Sequence, residues 1–180
     1  GSAQSRELVA FACADGVVVI DTHDNAFTYE KIMNPAEFAE GERIGMLRGH
    51  PEKDLFIGSS RTAVYAIDPS NSSVGKIEWQ ASDDARLSAA YFSAEGEHVV
   101  LMDSAGVVSV FEGHTHDNEY HWELAHNITV TAADLAQMPA EHGFTMTLSQ
   151  SQQVAYVTDP INQHILAIDL ESGEFAHTFE

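Results

Sequence analysis

A single cysteine, Cys13, is all the thiol this 180-residue chain carries. No internal disulfide can form from it, and no Cys-rich zinc finger can be built. Cys13 lies in the strand-like run Leu8 to Ala14, where a small buried hydrophobe is the expected role. Cysteine usage therefore does not separate an oxidising from a reducing compartment. Bases are also scarce: 8 Lys plus Arg stand against 28 Asp plus Glu, a formal net charge of −20. Such a chain repels nucleic acid and anionic membranes, because counterion-release binding needs clustered Lys and Arg. Cations and basic partner surfaces are its natural counterparts, and the same charge also reads as a solvated surface that keeps an exported protein soluble. The apolar runs are far shorter than the about 20 residues of a membrane span, so no insertion is expected. No long segment carries a helical period; only Ala132 to Gln137 reads as a short helical turn.

What the chain has is a repeat. Four segments share a hydrophobic strand, a turn, and a second strand ending in apolar-apolar-acid, with the acids at Asp21, Asp68, Glu112 and Asp169. These acids lie 47, 44 and 57 residues apart, close to the repeat of a propeller blade, about 40–50 residues. Flanking strand-like stretches precede the hairpins at 43–48, 88–92 and 143–148 and follow them at 27–30, 76–79, 120–124 and 175–179. The fold class read from this pattern is all-β, a β-propeller of four-stranded antiparallel blades, about four in this chain. Approximate blades are 8–40, 41–80, 86–130 and 141–180, behind a disordered or tag-derived N-terminus at 1–7. Asp15-Gly16, Ala105-Gly106 and Ser172-Gly173 are expected to supply the positive φ of tight turns. No strand is evident ahead of Leu8, and four blades is few for a propeller. The expectation is that missing blades or a partner chain complete a larger one, since an open array leaves unpaired edges. Gly1-Ser2-Ala3 resembles a cloning scar, so the lack of a signal peptide proves nothing. The five methionines read as core filler.

Chemistry concentrates in Gly113-His114-Thr115-His116-Asp117-Asn118-Glu119-Tyr120-His121. Neutral imidazoles with a carboxylate are zinc ligands at about 2.0–2.2 Å, and three protein groups plus a fourth ligand or water complete a tetrahedron. His114 and His116 share a face of an extended loop. Asp117 is placed to ligate or to orient a ring from behind, and His121 to close the site if the loop folds back. Calcium wants more oxygens, while copper fits the ligand type. His126 and His142 mark a second metal region. His23, in Thr22-His23-Asp24-Asn25, echoes Thr115-His116-Asp117-Asn118 and, with His50 and His98, falls on the face of the first site. His164 and His177 read as solvent-side strand residues. Two other classes stay open: an interaction scaffold whose His loop is incidental, and a propeller hydrolase with an open zinc site. The absence of a Gly-x-Ser-x-Gly elbow argues against the second, and the reading is not an enzyme.

The segment Val154-Ala155-Tyr156-Val157-Thr158-Asp159-Pro160 with His164 to Gly173 resembles the β-propeller repeats of YVTN and quinoprotein-like proteins. Together with the His-Thr-His-Asp loop and His142-Gly143-Phe144-Thr145, the chain resembles the AztD family of periplasmic zinc chaperones. That resemblance implies a propeller about twice this size and a periplasmic location. It further implies zinc handed, without a catalytic step, to the solute-binding protein of a zinc ABC transporter. It carries over to His114, His116 and Asp117, with His121 beside them. Because imidazole must be neutral to ligate, zinc affinity should fall as pH drops through about 6.5.

Overall fold

The structure is a computed structural model that describes residues 1–180 except Ala26 and Ala39. It is all-β, with four four-stranded antiparallel sheets, each a meander in chain order. Sheet I comprises β1 (Ser2–Ser5), β2 (Leu8–Ala12), β3 (Gly16–Asp21) and β4 (Thr28–Met33); sheet II comprises β5 (Met46–His50), β6 (Lys53–Ser59), β7 (Val64–Asp68) and β8 (Ser73–Ile77). Sheet III holds β9 (Leu87–Phe92), β10 (His98–Asp103), β11 (Val107–His116) and β12 (Glu119–Thr129). Sheet IV holds β13 (Met146–Leu148), β14 (Val154–Asp159), β15 (His164–Asp169) and β16 (Phe175–Phe179). Leu135–Gln137 forms a single 3₁₀ turn inside the segment expected to be helical, capped by the Asp134 carboxylate on Ala136 N.

The chain divides into two compact units, residues 1–79 with 115–121 and residues 80–114 with 122–180. In the first, alternate residues of sheet I (Ala10, Val17, Val19, Ile32) share a core with Leu47, Phe56, Tyr65 and Ile67 of sheet II. In the second, Val100, Met102, Val108 and Val110 of sheet III share a core with Ala155, Val157, Leu166 and Ile168 of sheet IV. Period-2 alternation aims each set at one face. Strand β10 is buried at all six positions, the signature of a sheet covered on both faces. Sheet IV differs. Its second face leaves Ile165 and Phe179 each 46% exposed, and with Thr147, Tyr156 and Thr158 they line an open apolar groove.

Four readings of the sequence need correction. Residues 2–5 are not a disordered tag: they form β1, paired Ser2↔Phe11 through Ser5↔Leu8. The segment Ser-Ala-Gln-Ser has no hydrophobic alternation to announce a strand. It is held instead by backbone pairing and by Ser5 Oγ, which lies 2.9 Å from His50 O and 2.8 Å from Leu55 O. Gly16 does not supply a positive φ, unlike Gly106 (φ 80) and Gly173 (φ 71); it is needed because a Cβ there would sit 2.3 Å from Ile32 O. Met33 is 58% exposed rather than core, since it falls on the open face of edge strand β4. Cys13 lies just past β2, half-buried, with its N–H donating to Gly16 O at 2.8 Å.

Candidate metal centre

The His-rich segment is an extension of the third sheet, and its length has a local cause. In the other sheets the third strand ends in an aspartate that folds back on the chain. Asp21 Oδ1 accepts from His23 N at 2.8 Å, Asp68 Oδ1 from Ser70 N at 3.0 Å, and Asp169 Oδ1 from Ser172 N at 2.8 Å. A carboxylate one methylene from the backbone closes such a turn readily. Sheet III has Glu112 at this place, opposite His98 on β10, and its strand runs on. Consequently β11 and β12 are 10 and 11 residues long, against 5 or 6 for their counterparts. Four residues beyond Glu112, at about 3.4 Å each, make an arm of about 14 Å.

The arm reverses at Asp117 (φ 50) and Asn118 (φ 65), the two left-handed positions of a tight hairpin turn that Asn and Asp tolerate. The echo at Asp24 and Asn25 takes the same conformation, with φ of 51 and 56, so the repeated tetrapeptide reports a repeated backbone. The Asn71 side-chain amide donates to Asn118 O at 2.9 Å. At the arm's base, Trp122 packs with its ring centroid 6.0 Å from that of Phe92.

Alternation places Glu112, His114 and His116 on one face of β11, and Glu119 and His121 on one face of β12. Imidazole and carboxylate approach each other along the arm. His114 Nε2 is 3.8 Å from Glu112 Oε2, His121 Nε2 is 3.8 Å from Glu119 Oε2, and His116 Nε2 is 3.4 Å from Asp117 Oδ2. The side chains are solvated, His114 and His121 about half exposed and His116 80%. Such pairs add little stability. Among the described residues no three His, Cys, Asp or Glu side chains stand as a finished coordination sphere. The arm supplies solvated donors of zinc-ligating chemistry, with freedom to rotate.

The remaining histidines are placed otherwise. His126 covers Gly173, where a Cβ would lie 2.5 Å from its Cγ, and its Nε2 is 2.8 Å from Glu171 O. His142 Nδ1 is 2.8 Å from Ala140 O in its own loop. Each of this second pair is thus engaged with a separate carbonyl. His23 lies between two carboxylates, Nδ1 2.8 Å from Glu7 Oε2 and Nε2 3.2 Å from Asp24 Oδ2. His50 is buried at the end of β5, its Nδ1 accepting from Glu52 N at 3.2 Å, which is a structural use of the ring. Two carboxylates absent from the sequence-derived ligand set, Glu112 and Glu119, each share a strand face with histidine. The period-2 pattern Glu-x-His-x-His was the signal that could have found them.

No family model and no curated protein matches the chain. Solved structures do. Apo AztD from Citrobacter koseri aligns over 100% of this chain and 46% of its own, with a TM-score of 0.75 and 17% identity. A second structure of Citrobacter koseri AztD gives 0.74 at 17% identity, over 99% of this chain and 45% of its own. The β-propeller domain of Cps50 (Swd1) from Myceliophteria thermophila gives 0.62 at 10% identity, over 97% of this chain and 57% of its own. The chain thus spans less than half the length of the AztD structures it matches. At such identities the likeness shows the fold, and the four sheets are blades of a β-propeller.

Proposed function

We propose that this chain is part of a periplasmic zinc-binding protein, a metallochaperone that passes zinc, without turnover, to the solute-binding protein of a zinc ABC transporter. The observation that carries the reading is the arm, which lifts His114, His116 and His121 beyond the blade as solvated side chains. A carrier must hold zinc firmly and still admit a partner's attacking ligand. A protruding hairpin serves both needs, because its ligands can exchange one at a time. The acidic surface favours cation capture, and the fold likeness to AztD supports the same reading.

The test is competitive zinc titration of chelator-stripped protein against a chromophoric chelator near pH 7.5 and near pH 5.5. Sub-micromolar binding of about one zinc that weakens at the lower pH is the expected result. In the double variant His114→Ala, His116→Ala that binding should fall by about 100-fold or more, since loss even of groups that merely support ligands costs about 10–100-fold. The β-sheet circular dichroism spectrum should be unchanged. Undiminished affinity in the double variant would remove the arm from the zinc site and with it this reading.

A further inference from the structure

We propose that His98 is a zinc ligand, the fixed anchor of a site whose other groups at the base of the arm are Glu112 and His114. The inference rests on the zinc reading above and extends it to a residue outside the His-rich segment. His98 opens β10, is 6% exposed, and its Nδ1 is buried without a hydrogen-bond partner. Orphaned buried polar atoms among the described residues belong to Asn34, His98 and Gln153. Of these, only His98 is of metal-ligating type and shares a face with the arm.

Register supplies the geometry. His98 is paired directly with Glu112, as Val100 is with Val110 and Met102 with Val108. Directly opposed residues project to the same side, with Cβ atoms about 4.5–5.5 Å apart. His114 follows two positions on, and its Nε2 is already 3.8 Å from Glu112 Oε2. A buried imidazole, a half-exposed carboxylate and a half-exposed imidazole therefore run in a line along one sheet face. Rotating the last two suffices to bring them onto an ion held by the first.

The repeats make the anomaly visible. At the same register place, facing the strand-ending acid, sheet I has Leu8 opposite Asp21 and sheet IV has Val154 opposite Asp169. A hydrophobe is the packing solution for this position. An imidazole there buries a polar atom that goes unpaired, which costs stability. Where the position costs stability and stands beside Glu112 and His114, ligation is the return. The division of labour follows: the base of the arm holds the ion, while His116 and His121 nearer the tip are free to meet a partner.

The test uses His98→Leu, which restores the residue type of sheet I and should fold at least as stably as the parent. Expected is about a 10–100-fold or greater loss of zinc affinity by chelator competition. In the unaltered protein, long-range nitrogen–proton NMR correlations should show the His98 ring nitrogens shifting on addition of zinc. Parent protein that binds no zinc below micromolar concentration would overturn the zinc reading and this inference together. Zinc binding by the parent, with His98→Leu equally tight or the His98 ring unmoved, would overturn this inference alone. Should His98→Leu fail to fold, the NMR measurement still decides.

Discussion

Three of the four sheets close the connection after their third strand with an aspartate, and one does not. In sheet II, Asp68 gathers Ser70 N at 3.0 Å, Ser70 Oγ at 2.6 Å and Asn71 Nδ2 at 2.7 Å, so the chain turns at once. In sheet III the same place is Glu112, its carboxylate reaching toward His114 instead, and the ribbon continues into the arm. One methylene separates a turn that serves only folding from an extension that presents ligands. The comparison shows how a repeated scaffold can acquire a binding element in one unit while the others keep its shape.

The sharpest way to break this contrast is to erase it. Replacing residues 113–122 by the four residues Pro-Ser-Asn-Ser found at 69–72 and changing Glu112→Asp should convert the connection of sheet III into one like that of sheet II. The expected outcome is complete loss of sub-micromolar zinc binding, by about 100-fold or more, with the thermal unfolding midpoint shifted by only a few degrees, about 2–4 °C. Loss of cooperative unfolding would mean that the arm is a folding element. Next in size is the reverse test on the folding turns. Asp68→Ala removes three hydrogen bonds to the carboxylate and should lower stability by about 2 kcal/mol, while Glu112→Ala should stay within about 0.5 kcal/mol; urea unfolding compares the two.

A third measurement separates turns that need glycine from the Asp-Asn turn of the arm. Gly106 has φ 80 and faces Phe144, whose ring a Cβ would meet at 2.8 Å. Gly106→Ala should therefore cost about 1–3 kcal/mol, whereas Asn118→Gly at the arm's tip should change stability by about 0.5 kcal/mol or less. The smallest effect is in the pH profile. At Asp159 burial alone raises the pKa, but the Asn162 side chain and backbone, Thr131 and Ile161 outweigh it and hold the group below its ordinary value. At Asp169, bonds from the Ser172 backbone and side chain lead the lowering. Both carboxyls therefore contribute stability that is fully present above the unfolded value of about 3.9 and is lost as pH falls through the lower folded values. Acid unfolding of Asp169→Asn should show a shallower fall in that window; an unchanged slope would remove Asp169 from the acid response.

The hairpins and their spacing were legible because each pairs a short apolar run with a strand-ending acid, and both are local signals. β1 was not, because Ser2–Ser5 owes its place to Ser5 and to pairing with a strand that follows it. Gly16 showed its identity but not its reason, since only the structure brings Ile32 O against it. At the candidate site the histidines of the arm stood out by composition, and Asp117-Asn118 announced its turn through the echo at Asp24-Asn25. The arm's length was hidden in a choice between Asp and Glu that reads as conservative. For His98 the topology of the repeat gave the face, but not its direct cross-strand pairing with Glu112, 14 residues away. His126 and His142 were grouped by sequence alone, and the carbonyls they engage lie on different segments.

The open face of sheet IV has a consequence for how the chain behaves in solution. Ile165, Phe179 and their neighbours offer an apolar surface of the kind that drives association, while a net charge of −20 keeps like molecules apart. These two influences respond oppositely to salt. Screening shortens the reach of the charge to about 10 Å at 0.1 M and about 3 Å at 1 M, and leaves the apolar attraction intact. Ionic strength therefore sets the colloidal state of this chain: dilute buffer disperses it, and concentrated salt lets the greasy faces find one another.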